Sequence, residues 1–220
     1  MATTAPAKAY KGMGMEGRMA KWYATNTGKA LDEFKALARR VASELPAGSL
    51  LEVAPGPGYF AIELAKLGDY RVTGLDISKT FVEIADRNAK EANVDVDFRQ
   101  GNASDMPLEE NSFNFILCRA AFKNFSDPLG ALEEMYRVLK PRGRGLIIDL
   151  RKDAPASGIS QRVDQMGLGA INTIFTKLAL KSLRNRAYTA SQFREFFSRT
   201  SFRTAEIQED LIGFEIRFQK

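Results

Sequence analysis

Apolar residues follow two alternating periods through the first 150 positions of the chain. Short apolar or alternating runs, typical of strands in a sheet, are SLLEVA, RVTGLD, VDVDFRQ, FNFILC and RGRGLIIDL. Between them the spacing changes to the helical period, in YFAIELAKLG, KTFVEIADRNAKEAN and PLGALEEMYRVLK. This alternation predicts an α/β, Rossmann-like domain: a parallel sheet with helices on both faces and ligands bound beyond the carboxyl ends of its strands.

Three further parts of the chain follow different patterns. KALDEFKALARRVASEL, before the first strand, has one apolar helical face. After Leu150 a Gly/Ser/Ala-rich stretch leads to one helix, INTIFTKLALKSL, and SQFREFFSRT then predicts another. FRTAEIQ and GFEIRFQK, at the end of the chain, predict an antiparallel pair of strands.

Composition excludes several kinds of chemistry. The 220 residues include no histidine and a single cysteine, Cys118, so zinc sites, histidine-based triads and internal disulfides are excluded. No transmembrane stretch or signal peptide is present, and a cytoplasmic protein is expected. The net charge of +5 lies mainly at the two ends of the chain, and no aromatic and basic interleaving indicates nucleic acid.

The stretch LLEVAPGPGYF places a stiff loop directly after the first strand. Gly56 and Gly58 let a ligand approach the backbone, while Pro55 and Pro57 fix the loop before anything binds. Asp76 ends the second strand, where a carboxylate can accept hydrogen bonds from both hydroxyls of a ribose. The pattern therefore predicts a ligand with an adenosyl group.

Two classes of adenosyl ligand fit this loop. GPGYFA matches G-x-G-x-x-A, which leaves a nicotinamide or flavin dinucleotide open. Glu52 favours the other class, because a carboxylate before the loop repels a pyrophosphate and attracts a cation. S-adenosylmethionine, with a sulfonium, an α-amino group and no phosphate, is the expected cofactor.

Residues 48–150 resemble the class I S-adenosylmethionine-dependent methyltransferases. The motifs LLEVAPGPG, VTGLDIS and FRQGNASDMPLEENSFNFILCRAAFKNF come in the family's order, and the match is nearest to type 11 domains of the ubiquinone/menaquinone methyltransferase group. Ala54 replaces the first glycine of the usual motif, and Asn102 stands where the family more often has Asp. The resemblance implies cofactor-binding roles for Glu52, Ala54, Gly56, Gly58, Asp76, Ile77, Asn102, Ala103, Cys118 and Arg119.

The same resemblance implies the architecture: one domain with a seven-stranded sheet whose last strand is antiparallel. We divide it into an N-terminal lid segment (1–28), a cofactor-binding core (29–150), a cap insertion (151–190) and a C-terminal helix with a strand pair (191–220).

Methyl transfer from a sulfonium is an in-line displacement, so alignment and a dry pocket can supply most of the acceleration. Where relatives often carry a histidine after the fourth strand, this chain has Phe122-Lys123-Asn124-Phe125, which excludes a histidine base. The candidate catalytic residues near the ends of strands four and five are Lys123, Asn124, Asp149 and Arg151. Cys118 is expected to be a buried strand thiol.

Two segments outside the shared core are expected to choose the acceptor. In the N-terminal segment, Tyr10, Trp22 and Tyr23 are candidates to face the sulfonium or an aromatic acceptor. The 155–190 segment carries an apolar stripe and a basic end, which fits a cap over the pocket, a homodimer contact or a membrane-surface face. The stripe consists of Met166, Ile171, Ile174, Phe175 and Leu178.

The favoured function is methyl transfer to a small acceptor that is hydrophobic or anionic. An RNA or protein methyltransferase is an alternative, weakened because CRAA stands where an Asn/Asp-Pro-Pro-Tyr/Phe motif is expected. A non-catalytic S-adenosylmethionine-binding protein is the third possibility, and the absent histidine is consistent with it.

Overall fold

Strands and helices alternate through the first 150 residues, as the periodicity predicts. The computed structural model describes residues 10–11, 14–45, 47–165 and 169–220. The strands are β1 (Gly48–Val53), β2 (Tyr70–Asp76), β3 (Asp97–Gln100), β4 (Phe113–Arg119), β5 (Leu139–Leu150), β6 (Glu206–Glu209) and β7 (Gly213–Gln219). The α-helices are α1 (Gly17–Thr27), α2 (Leu31–Glu44), α3 (Tyr59–Ala65), α4 (Lys79–Glu91), α5 (Pro128–Val138), α6 (Ala156–Gln165), α7 (Ala170–Arg184) and α8 (Ala190–Ser198).

The seven strands form one mixed sheet in the order β3-β2-β1-β4-β5-β7-β6. Strands β1 to β5 pair in parallel, and β7 pairs antiparallel with both β5 and β6. This confirms the predicted seven-stranded sheet with an antiparallel last strand. The chain runs outward from β1 to β3 and then crosses to β4, so the carboxyl ends of β1 and β4 flank the switch point where such sheets bind ligands.

Local capping residues fix where two of these helices begin. The Ser78 side chain accepts a hydrogen bond from the Phe81 amide at the start of α4, and Asp127 accepts one from the Gly130 amide at the start of α5, with Pro128 as its first residue. Each of these N-caps satisfies an amide that has no partner within its own helix.

Apolar side chains fill both faces of the sheet. One core packs α2, α3 and α4 against β1, β2 and β4, with Phe34, Leu50, Phe60 and Phe115 among its buried members. The other packs α5 and α8 against β4, β5 and β7, and it includes Ile116, Met135, Phe193 and Phe214.

Two helices were not predicted from the sequence. Helix α1 buries Ala20 and Ala24 against Phe81 and Ile84 of α4, and α6 forms from the Gly/Ser/Ala-rich stretch. In both cases a few small apolar contacts stabilise a helix whose own periodicity is weak. Met166 of the predicted apolar stripe lies outside the described residues, as do the side chains of Ile171 and Phe175.

Candidate active site at the carboxyl edge of the sheet

The loop between β1 and α3 contains three residues in the left-handed region. Their φ angles are 58° at Ala54, 56° at Gly56 and 78° at Gly58. Glycine adopts this region freely, whereas an alanine there costs roughly 1–2 kcal/mol. The Ala54 amide donates to the Leu75 carbonyl (2.8 Å), which holds the loop against β2.

The two glycines of this loop have different structural roles. A Cβ on Gly58 would lie 2.6 Å from Phe98 Cζ and 2.9 Å from Ala85 Cβ, so this glycine is required by packing as well as by φ. Among the described residues, a Cβ on Gly56 would meet only Tyr23 Cε1, at 3.9 Å. The backbone of Gly56 therefore borders open space below the Tyr23 ring, which is the kind of bare cradle that a ligand can enter.

Asp76 ends β2 and holds the same loop from the other side. Its carboxylate accepts hydrogen bonds from the Gly56 and Ser78 amides, both at 2.9 Å. Burial raises the pKa of Asp76 to about 6, and the amides of Ser78 and Gly56 oppose that rise. Next to it, the Ile77 side chain is exposed at the edge of the sheet, where an apolar surface can support a flat ring.

Glu52 lies fully inside the protein beside the loop. Its Oε2 accepts a hydrogen bond from the Ala61 amide (3.1 Å) in the first turn of α3. Burial raises the pKa of Glu52 to about 8, although the Ala61 amide and Arg119 oppose the rise. A nearby cation would favour the ionised form, so this carboxyl group is suited to a positively charged ligand.

The turn after β3 is held by Asn102. Its Oδ1 accepts hydrogen bonds from the Ser104 amide (3.1 Å) and the Ser104 hydroxyl (3.2 Å), and Ala103 is buried beside it. The Gly101 amide donates to the Asp76 carbonyl at 2.9 Å. These bonds bring Asn102 and Ala103 to the same edge as Asp76.

Strand β4 ends in Cys118 and Arg119. Cys118 is fully buried, and burial, with a smaller contribution from Asp149, raises the pKa of its thiol well above the usual value. The thiol is therefore a packing group, as expected. Arg119 turns toward α2, where its guanidinium lies 3.4 Å from the Glu33 carboxylate and 4.6 Å from the centre of the Phe34 ring.

Two of the candidate catalytic residues form a buried ion pair with each other. Lys123 Nζ lies 2.8 Å from Asp149 Oδ1, and their side chains are only 4% and 1% exposed. Asp149 also accepts hydrogen bonds from the backbone amides of Lys123 (2.8 Å) and Leu150 (2.7 Å), and Lys123 Nζ donates to the Ala120 carbonyl. These bonds tie the turn after β4 to the end of β5 and leave neither side chain free for a substrate.

The other two candidates differ in environment. Arg151 is paired with Asp153 (2.9 Å) and Glu209 (2.7 Å), which directs it toward β6. Asn124 is buried, and within the described residues its Oδ1 is the one fully buried side-chain oxygen or nitrogen that lacks a hydrogen-bond partner. Such an atom is costly unless a ligand or water satisfies it, so Asn124 is the most available polar group at this edge.

The N-terminal segment crosses this edge of the sheet. At one end, Tyr10 forms a backbone bridge to Phe125, and the Lys11 amide donates to the Asn124 carbonyl (2.7 Å). Partial burial raises the pKa of the Tyr10 hydroxyl, with Arg186 opposing and both Tyr23 and Asp76 adding to the rise. Tyr10 therefore lies within electrostatic range of the predicted ribose-binding acid.

The other end of this segment is attached to α4. The Ser78 hydroxyl donates to the Met15 carbonyl (2.6 Å), and the Glu16 carboxylate accepts from the Lys79 (3.0 Å) and Thr80 (3.1 Å) amides. Tyr23 stands over the glycine loop, whereas the Trp22 side chain is 66% exposed to solvent.

Tyr188 is a site residue that the sequence did not indicate. Lys11 Nζ donates to its hydroxyl, and its ring packs against Phe122 and Phe196 at centroid distances of 6.1 and 4.9 Å. The two residues are 177 positions apart, so no local pattern connects them. Lys11 of the N-terminal segment and the Tyr188 phenol thus meet beside the turn containing Asn124.

Comparison with known proteins agrees with this arrangement. The family model for a methyltransferase domain matches residues 51–147. A demethylmenaquinone methyltransferase of Lactococcus lactis is 28% identical over 193 residues, covering 82% of this chain and 76% of the relative. One from Deinococcus radiodurans is 34% identical over 125 residues, which span 55% of this chain and about half (51%) of that relative.

A solved Methanococcus maripaludis protein, assigned as an S-adenosylmethionine-dependent methyltransferase, has the same fold. The two structures superpose with a TM-score of 0.75 at 22% identity, and the match covers 97% of each chain. The shared fold therefore extends beyond residues 51–147 to nearly the whole chain.

Proposed function

The chain belongs to the S-adenosylmethionine-dependent methyltransferases with a type 11 domain, and from this premise we propose that it methylates a small lipophilic acceptor of the quinone class. The names of the relatives from Lactococcus lactis and Deinococcus radiodurans support this acceptor class. The observation that carries the proposal is the glycine loop braced by Asp76 and crossed by an aromatic lid.

The residues around the loop fit S-adenosylmethionine. Asp76 uses its two oxygens for two amide bonds and retains lone pairs for ribose hydroxyls, and the open face of Gly56 admits the ligand below Tyr23. Ile77, Asn102 and Ala103 are proposed to border the adenine ring. The bound cofactor supplies a methyl group activated by its sulfonium.

Glu52 accounts for the preference for a cationic ligand. Its carboxyl group is protonated near neutral pH while the site lacks a cation, because burial raises its pKa to about 8. A sulfonium or ammonium nearby favours the ionised form. We expect the affinity for S-adenosylmethionine to rise with pH toward 8, because only the ionised carboxylate attracts the cation; the same ionised form would repel a dinucleotide phosphate.

The polar groups left for the acceptor are few. Lys123 and Asp149 satisfy each other and hold the turn, so we assign them positioning roles. Asn124 Oδ1 and the Lys11–Tyr188 pair are proposed to orient a hydroxyl or carbonyl oxygen of the acceptor. Phe122 is fully buried against Tyr188 and holds that ring in place, so alignment and exclusion of water carry the rate.

Calorimetric titration tests the cofactor part of the proposal. Wild type should bind S-adenosylmethionine and S-adenosylhomocysteine but not NADH, and Asp76→Ala should weaken binding by about tenfold or more. Asp97→Ala, which removes an exposed carboxylate from β3, is the matched control and should bind normally. Unchanged binding by the Asp76 variant, or binding of NADH alone, would contradict the assignment.

A transfer assay tests the acceptor class. A short-chain demethylmenaquinol, kept reduced, should be methylated with stoichiometric release of S-adenosylhomocysteine, and the already methylated menaquinol should not react. If S-adenosylmethionine binds but the quinol is not methylated, the acceptor class is wrong while the cofactor assignment stands.

We propose a cytoplasmic location, which the single buried free cysteine supports.

A further inference from the structure

Two helices outside the core carry exposed apolar side chains. On α1, Trp22 is 66% exposed and Met19 39%; on α7, Ile174 is 60% and Leu178 58% exposed. Exposure of large apolar groups to water is unfavourable, and contact with another apolar surface lowers the free energy.

Helical spacing places these side chains together on each helix. Met19 and Trp22 are three residues apart on α1, and Ile174 and Leu178 are four apart on α7, so each pair shares one face. Lys181 follows Leu178 by three residues and continues the α7 face with a positive charge. Both helices therefore combine an exposed apolar pair with neighbouring cations.

The charged residues carried by both helical segments have one sign. No acidic residue occurs in positions 17–31 or 165–194, whereas both stretches contain several lysines and arginines. Within the described residues, Arg18, Lys21 and Lys181 form no salt bridge. These free cations complement an anionic partner.

Both helices lie at the carboxyl edge of the sheet, on the same side as the candidate site. Helix α1 places Tyr23 over Gly56 of the glycine loop. Helix α7 packs on α6 through the Lys177–Asp164 pair (2.9 Å), and Arg162 of α6 reaches Glu33 at the start of α2 (3.7 Å). The two helices that carry the apolar and basic residues thus lie at the same end of the molecule.

We propose that α1 and α7 form a docking surface for an anionic phospholipid bilayer. Exposed aliphatic side chains gain free energy in the acyl boundary, and unpaired lysines and arginines gain it from anionic headgroups. A nucleic acid would supply negative charge for the lysines and arginines but no apolar surface for Ile174 and Leu178. No helix among the described residues is long and apolar enough to span a bilayer, so the contact is peripheral. The inference rests on surface chemistry alone and does not depend on the proposed activity.

The single tryptophan provides the measurement. The full chain is mixed with phosphatidylglycerol/phosphatidylcholine vesicles and with phosphatidylcholine vesicles, and Trp22 emission and vesicle flotation are recorded. We expect flotation and a blue shift with the anionic vesicles only, because Trp22 moves from water into the interface, and both should weaken as salt is raised.

Paired variants assign the binding to this surface. Ile174→Ser with Leu178→Ser, and separately Lys21→Glu with Lys181→Glu, should each reduce vesicle partitioning by about tenfold or more. Leu67→Ser is the matched control, because this leucine is also exposed (42%) but lies after α3, at the opposite edge of the sheet. The Tm of each variant, compared with wild type, distinguishes a folding defect from a binding defect.

Several outcomes would overturn the proposal. They are absence of binding to the anionic vesicles, equal binding by the variants, or binding to heparin that matches binding to vesicles. A dimer in solution that the Ile174/Leu178 variant dissociates, without any vesicle binding, would assign the face to a second copy instead. Titration with S-adenosylmethionine in the same preparations separates this result from the proposed function.

Discussion

Replacing Lys123 by methionine tests whether the buried ion pair supports the fold of the candidate site. The substitution keeps the length of the apolar stem and removes the ammonium group that lies 2.8 Å from Asp149 Oδ1. Lys123 was a candidate catalytic residue from sequence, and the structure instead favours a positioning role. The stability of this variant distinguishes the two roles.

The expected loss can be estimated from the contacts. Breaking one partner of a buried pair costs about 3–5 kcal/mol, since it leaves an uncompensated charge. Two amide hydrogen bonds, from Lys123 and Leu150, still stabilise the Asp149 carboxylate, so we expect the lower end, about 3 kcal/mol. For a chain of this size that loss lowers Tm by roughly 6–12 °C.

The assay is thermal and denaturant unfolding of wild type, Lys123→Met, Asp149→Asn and the double variant. The double variant should be destabilised by less than the sum of the single variants, because it leaves no unpaired buried charge. Lys79→Met is the matched control: Lys79 Nζ lies 3.9 Å from Glu83, both side chains are mostly exposed, and the change should stay within about 0.5 kcal/mol.

A free energy of unfolding for Lys123→Met within about 1 kcal/mol of wild type would show that the ion pair does not stabilise the turn. A Lys123→Met variant that keeps full stability and normal cofactor affinity but loses methyl transfer would show that Lys123 acts directly in catalysis.

Three further predictions concern the loop, the acid beside it and the acceptor. The folded chain retains a proton on Glu52 (pKa about 8) that the unfolded chain releases above its ordinary pKa of 4.5, so the free energy of unfolding falls as pH rises between these values. Relative to wild type, Glu52→Gln should become more stable by about 1.4 kcal/mol per pH unit in this range. Equal wild-type unfolding curves at pH 5 and 8 would contradict this. Gly58→Ala should destabilise the protein by about 2–4 kcal/mol, because the added Cβ would overlap neighbouring side chains. Ala54→Gly should leave Tm unchanged or raise it, because glycine adopts the positive φ angle freely. If Ala54→Gly were the less stable of the two variants, the φ angles would not determine the stability of the loop. Tyr188→Phe should reduce kcat for the quinol by about tenfold with an unchanged Kd for S-adenosylmethionine, and a change in that Kd instead would move Tyr188 to the cofactor side.

Sequence periodicity and local motifs predicted much of the core and part of the site. The strand and helix alternation, the N-caps at Ser78 and Asp127, and the antiparallel β6–β7 pair depend on residues close together in sequence, so the sequence alone specified them. The glycine loop and Asp76 were also readable, since parallel strands bring their carboxyl ends to one edge. Helix α6 was missed because packing of Ile159 and Val163, rather than composition, stabilises it.

Pairing between distant residues was decided only by the tertiary structure. Lys123 and Asp149 are 26 positions apart, and Lys11 and Tyr188 are 177 apart. Without knowledge of this pairing, the same residues can equally be interpreted as exposed or as catalytic. Whether a buried polar group is available to a substrate depends on the partners that the fold brings to it, and those partners leave no trace in local sequence. The sequence determined the methyltransferase core and its cofactor edge. The fold decided that Lys123 and Asp149 bind each other and that Asn124 Oδ1 has no hydrogen-bond partner among the described residues.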